Sequence, residues 1–280
     1  MTASAPPRPP GSRLVSPTSA PTPPAAPAPP VNRAALAVAA VLALALEAWV
    51  WSRYGASRGV LLLLGLGLGA ALFHSRFGFT SAWRQLVAVG NGSGLRAHTL
   101  LLGTTATLFA LVIGTGTGLF GTTPAPSAGT LGVGLVAGAA LFGVGMQLGG
   151  ACASGTLFAV GSGQSSVLLT LGGFITGTVL YAWAFPLVDD LPTFPAFVLA
   201  DHVGWAGSWA VTVLALGLVW LLAGVVQRRR VPPPTAPPPT ARGAARVLRG
   251  SWPMWVGALV LAVLGAGVLM VSGGAWGITP

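Results

Sequence analysis

The sequence has no lysine, one cysteine, three histidines and only four acidic residues in a chain of 280. Each shortage removes a class of chemistry. Without lysine no phosphate-binding loop of the GxxxxGK[ST] kind can form, so nucleotide-driven work would need another subunit. The lone thiol, Cys152, cannot close an intramolecular disulfide, which excludes an oxidised framework. His74, His98 and His202 are scattered and carboxylates are few, so neither a metal-ligand cluster nor a bound cofactor is expected. Charge itself is scarce: 6% of the residues are charged and 53% hydrophobic, where a soluble domain carries roughly 25% charged residues. The solvent for most of this chain must be lipid.

The apolar residues gather in seven segments, at about 33–50, 59–73, 98–113, 129–148, 165–185, 206–226 and 254–272. Several approach the roughly 20 residues that cross a bilayer as a helix. The expected fold is therefore all-α, a polytopic membrane protein of about seven transmembrane helices plus short broken or re-entrant helices. A formal charge of +10 would suit nucleic acid only if the arginines formed a groove interleaved with stacking aromatics. They sit at segment ends instead, so the expected partner is the lipid bilayer and no nucleic acid.

Arg228, Arg229, Arg230, Arg242, Arg246 and Arg249 share one connecting loop, whereas Asp189, Asp190 and Asp201 share the loop before it. The positive-inside rule then puts the arginine loop in the cytoplasm. Counting crossings places the N-terminus inside and 114–128 outside; Arg53 and Arg58 fall on the outer side and run against this scheme. Glu47, near the outer end of the first segment, is expected to snorkel to water. The expected organisation is a disordered Pro/Ala-rich cytoplasmic tail (1–32), a main transmembrane domain (33–226), an Arg/Pro-rich cytoplasmic linker (227–250) and a C-terminal transmembrane segment (251–280).

A weak internal repeat stands out from this background. Residues 79–92 (FTSAWRQLVAVGNG) resemble 151–163 (ACASGTLFAVGSG), with AVGNG matching AVGSG. Both follow an apolar segment, carry small and hydroxylated residues, and end in a pair of glycines. Irregular backbone at membrane depth is tolerated only where protein or a wet cavity satisfies it, so paired broken segments point to a transport site built from half-helices. The other reading is two cytoplasmic loops, each with a short amphipathic helix.

The second copy lies in the stretch 143–163, GVGMQLGGACASGTLFAVGSG. With Gly143, Gly145, Gly149, Gly150, Cys152 and Gly155 it resembles the glycine-rich GxGxxLxGGCxxG segment of the YeeE/YedE family of sulfur-compound transporters. Ala151 here stands between the glycine pair and the cysteine. The stretch 75–84, SRFGFTSAWR, is similar to that family's other recurring element, with Thr80 and Ser81 where many members carry a cysteine. The resemblance covers about 59–280 and implies further helices after AWGITP, so the chain is expected to be shortened at its C-terminus.

The resemblance implies a bacterial-type cell-membrane permease, not an enzyme, that carries a small inorganic sulfur anion, thiosulfate first, past a constriction holding Cys152. It also implies a cytosolic sulfur-carrier protein as downstream partner. The expected substrate-binding residues are Cys152, Gly149, Gly150, Ser154, Gly155, Thr80 and Ser81. A thiol is a soft, weak donor, and weak multiple contacts are what conduction requires. Arg76, Arg84 or Arg96 could concentrate anions at one mouth, or serve only as topology determinants. Two other classes stay open: a non-transporting scaffold or partner-dependent half-transporter, and an intramembrane serine hydrolase using Ser154 with His202, which would need the imidazole within hydrogen-bond reach of the hydroxyl.

Overall fold

The computed structural model describes residues 33–127, 129–189, 191–230, 232 and 252–275, with backbone only at Val188 and Asp189. The expected N-terminal tail, most of the linker and the last five residues lie outside the described residues. Helices order almost everything else: α1 (Arg33–Tyr54), α2 (Ala56–Ser75), α3 (Phe79–Val89), α4 (Ser93–Thr115), α5 (Val133–Gly149), α6 (Ala153–Gly161), α7 (Leu168–Asp189), α8 (Leu199–Arg230) and α9 (Met254–Ser272).

Seven stretches among the described residues are long and apolar enough to cross a membrane. Six of the seven segments expected from the sequence fall within one of them, and the seventh, 129–148, begins four residues ahead of its stretch, where residues 131–132 form a strand. Two stretches are composite: α2 with α3 spans Ala56–Val89 and α5 with α6 spans Val133–Gly161. By contacts the chain divides at Ala45, with residues from Leu46 onward forming the larger unit. Helix α8 runs on to Arg230, past the linker boundary expected at 227, and is interrupted at Gly204 (φ 71, ψ 168).

Within the larger unit α9 is the most enclosed helix, with 44% of its apolar window buried against 17% or less elsewhere. It packs on α2 and α4, and α4 packs on α8. Lipid tails are as apolar as leucine, so these contacts depend on close backbone approach through small residues. Ala258 and Ala262 are wholly buried, and a Cβ at Gly257 would overlap Ser75. Gly257 lies by Ser75, Gly67 by Leu264, and Gly267 by Leu64, an order that makes α2 and α9 antiparallel.

Helices α4 and α8 are antiparallel as well: Trp209 donates Nε1–H to Thr107 Oγ1 (3.0 Å), while Gly92 approaches Ala223. The ends of α9 are tied at both sides. The Trp252 N–H donates to the His74 carbonyl (2.9 Å) at its start, and the Leu119 N–H to the Met270 carbonyl (2.7 Å) near its end. The end of α2, the starts of α4 and α9, and the arginine end of α8 therefore gather at one end of the helix group. A two-stranded pairing, Leu131 with Phe194 and Gly132 with Thr193, joins the start of α5 to the chain leaving α7 at the other end. Helices α5 and α7 expose large apolar side chains such as Leu148 (84%) and Leu169 (86%), which suits lipid contact.

Glu47 departs from expectation. Both carboxylate oxygens are buried without a hydrogen-bond partner, and the carboxylate lies against Gly59 of α2. The missing Cβ at Gly59 makes a niche that draws the side chain inward, where the sequence suggested it would reach for water.

Candidate functional site

Both repeat copies are built alike. Helix α2 stops because Arg76 adopts the left-handed conformation (φ 48), its N–H returning to the Leu72 carbonyl, a conformation that costs a non-glycine residue about 1–2 kcal/mol. Helix α5 stops at Gly150, left-handed too (φ 78), where the absence of a Cβ removes that cost. Each break leads into a short helix. Helix α3 begins after Gly78 and α6 after Cys152, and neither N-cap residue supplies a capping side chain.

The first intrahelical bonds run from the Ala82 N–H to the Gly78 carbonyl (3.3 Å) and from the Thr156 N–H to the Cys152 carbonyl (2.8 Å). The earlier N–H groups of both helices are left without intrahelical acceptors, at the positive end of each helix dipole. Two such starts face one another across a cavity of about 840 Å³. One wall runs from Phe73 to Ser81, and the other from Gly150 through α6 to Gln164.

Its polar lining includes Arg76, Thr80, Ser81, Cys152 and Ser162; among the described residues no carboxylate lines it. Phe73, Phe77, Phe79 and Phe158 make the apolar part of the wall. Cys152 is partly buried, with its Sγ 3.6 Å from the Ser154 hydroxyl. Ser81 donates to the Gly78 carbonyl (2.9 Å), whereas Thr80 is 2% exposed and its Oγ1 has no hydrogen-bond partner.

The walls are braced from outside the cavity. Arg84 of α3 donates to the Gln147 carbonyl near the end of α5 (3.3 Å), linking one broken segment to the other. Behind Phe77 and Phe79 sits His98 of α4, its ring 4.4 and 4.9 Å from theirs. His98 Nδ1 lies 2.8 Å from the Gly94 carbonyl, so that nitrogen carries the proton. Gly94 allows α4 this close: a Cβ there would lie 2.8 Å from the Ala82 Cβ.

Of the seven residues expected to bind substrate, Thr80, Ser81, Gly150, Cys152 and Gly155 line this cavity. Gly149 and Ser154 do not. Gly149 turns toward α7, where a Cβ would meet the Thr170 methyl at 2.7 Å. Ser154, on α6 two residues beyond Cys152, lines an apolar cavity against α2 instead. Sequence reasoning missed the aromatic wall and Gln164; only Phe77 and Phe79, flanking Gly78 at the break, gave a signal that could have been read.

The Ser154–His202 pairing is not formed. The His202 Nδ1 lies 3.2 Å from the Val198 carbonyl and its ring stacks on Phe197, whereas the Ser154 hydroxyl neighbours Cys152. Among the described residues no group of three or more His, Cys, Asp or Glu could hold a metal ion.

A family described as sulphur transport matches residues 74–279, which include both broken segments and every residue lining the cavity between them except Phe73. No curated protein matches the chain. The chain belongs to the sulphur-transport family, the one its glycine-rich segments resemble, and is a multi-pass helical membrane protein that transports sulfur compounds.

Proposed function

We propose that this protein is a permease for a small sulfur-containing anion, thiosulfate first, which passes through the cavity between the two broken segments and beside the Cys152 thiol. The observation that carries the reading is the meeting of two uncapped helix starts around a cavity with Arg76 and no carboxylate in its lining. Backbone N–H groups at helix starts attract oxyanions without binding them as tightly as paired charges would. The sulfane sulfur of thiosulfate is soft and polarisable, and a thiol is the matching soft contact. Thr80 and Ser81 add hydroxyl contacts, while Gly150 and Gly155 keep the backbone accessible.

In this reading the protein lies in the cell membrane with its N-terminus in the cytoplasm, and a cytosolic sulfur-carrier protein receives the anion. The test is uptake of radiolabelled thiosulfate by cells lacking their own importers, comparing the chain with Cys152→Ala and Cys152→Ser at matched expression. Uptake that falls with Cys152→Ala supports the thiol. Uptake that survives both changes removes it, and absence of uptake favours a protein that works only with a partner.

A further inference from the structure

A second electropositive pocket lies away from the transport cavity, where the arginine end of α8 meets the first turns of α4. Its volume is about 550 Å³, and Arg96, Trp220, Gln227 and Arg228 line it together with the apolar Leu221 and Val225. The Arg96 guanidinium stacks over the Trp220 ring, 4.4 Å from its centroid. Stacking fixes the plane of the guanidinium and leaves its edge free to grip an oxyanion with two N–H donors.

Among the described residues no anion answers it. No carboxylate lines the pocket, and neither Arg96 Nε nor Gln227 Oε1, both buried, has a hydrogen-bond partner. Leaving a buried donor and a buried acceptor unpaired is costly, so the pocket is suited to a ligand that brings both an anionic oxygen and a hydroxyl. The surroundings identify the source. Leu221 and Val225 are 64% and 44% exposed, a face that suits acyl chains, and Arg228, Arg229 and Arg230 end the helix in consecutive positions. An apolar face running into a basic helix end is the pattern of an interfacial lipid site.

We propose that this pocket binds the headgroup of an anionic phospholipid bearing a free hydroxyl, of the phosphatidylglycerol type. Arg96 and Arg228 hold the phosphate, and Gln227 accepts the headgroup hydroxyl. The inference stands independently of the transport reading, since it uses none of the cavity residues.

The test is the thermal unfolding midpoint of the full chain in nanodiscs of phosphatidylcholine, with and without phosphatidylglycerol, and separately with inorganic phosphate. Phosphatidylglycerol should raise the midpoint by several degrees, and Arg96→Gln or Arg228→Gln should each remove most of that rise. Arg96→Lys, which keeps the charge but not the planar stack, should keep only part of it, whereas Arg53→Gln should keep it all. Inorganic phosphate reproducing the whole rise would overturn the lipid assignment in favour of a free oxyanion. A rise that persists in both glutamine variants would overturn the site.

Discussion

Replacing Gly94 by valine tests the contact that sets the position of the cavity wall. A Cβ at this position would lie 2.8 Å from the Ala82 Cβ and 3.0 Å from its Cα. Carbon atoms settle at about 3.5–4.0 Å, so α3 would have to retreat from α4 by roughly 1 Å. Overpacking of this kind costs about 1–3 kcal/mol. Valine is a weak helix former, which leaves little compensation from removing a glycine. For a chain of this size such a loss lowers the unfolding midpoint by roughly 2–4 °C per kcal/mol, hence by several degrees.

The displaced helix carries Thr80 and Ser81 with it, so uptake should fall further than stability alone explains. Gly69→Val is the internal control, because a Cβ there meets nothing within 4 Å. The assay pairs thermal unfolding in nanodiscs with uptake in cells. Adding Ala82→Gly to Gly94→Val should recover part of both losses. If Gly94→Val matched Gly69→Val in both readouts, the α3–α4 contact would not hold the wall and the reasoning would be wrong.

Other consequences are as direct. Gly150→Ala adds no clash, since nothing lies within 4 Å, but places a side chain at φ 78; stability should fall by about 1 kcal/mol, measurable as a lower unfolding midpoint. Glu47→Leu replaces buried oxygens that have no partner by an apolar side chain, which should raise the midpoint because a buried polar group without a hydrogen bond is costly. A lowered midpoint would mean that the carboxylate answers a cation. Arg84→Gln removes the 3.3 Å bond to the Gln147 carbonyl; the exposed site should cost no more than about 1 kcal/mol, while uptake drops because the two broken segments lose their link.

How far the sequence could be read differs by level. The seven apolar stretches were legible because hydropathy over some 20 residues is a local property. The two breaks were legible too, through the repeated AVGNG and AVGSG elements and the glycine pair before Cys152. What could not be read was which side of α6 faces α3. Ser154 and Cys152 are two residues apart on the chain, yet they line different cavities, and that choice is made by α2 and α7 packing on either side.

Glu47 shows the same limit. Its depth along α1 was readable, but the niche at Gly59 that receives it belongs to the next helix. Arg76 marks a third case: nothing local announces a left-handed arginine, a conformation found mostly in glycine, asparagine and aspartate. It ends α2 and sets a positive charge on the cavity wall at once.

Cys152 is the protein's single cysteine, so thiol modification reports on one site without any engineered background. The most direct test is the rate at which a small maleimide labels Cys152 in membranes, with thiosulfate or with chloride at equal ionic strength. Thiosulfate should slow labelling in a saturable way, and Thr80→Val should weaken this protection. Labelling at the same rate in both salts would contradict the claim that the anion passes beside the thiol.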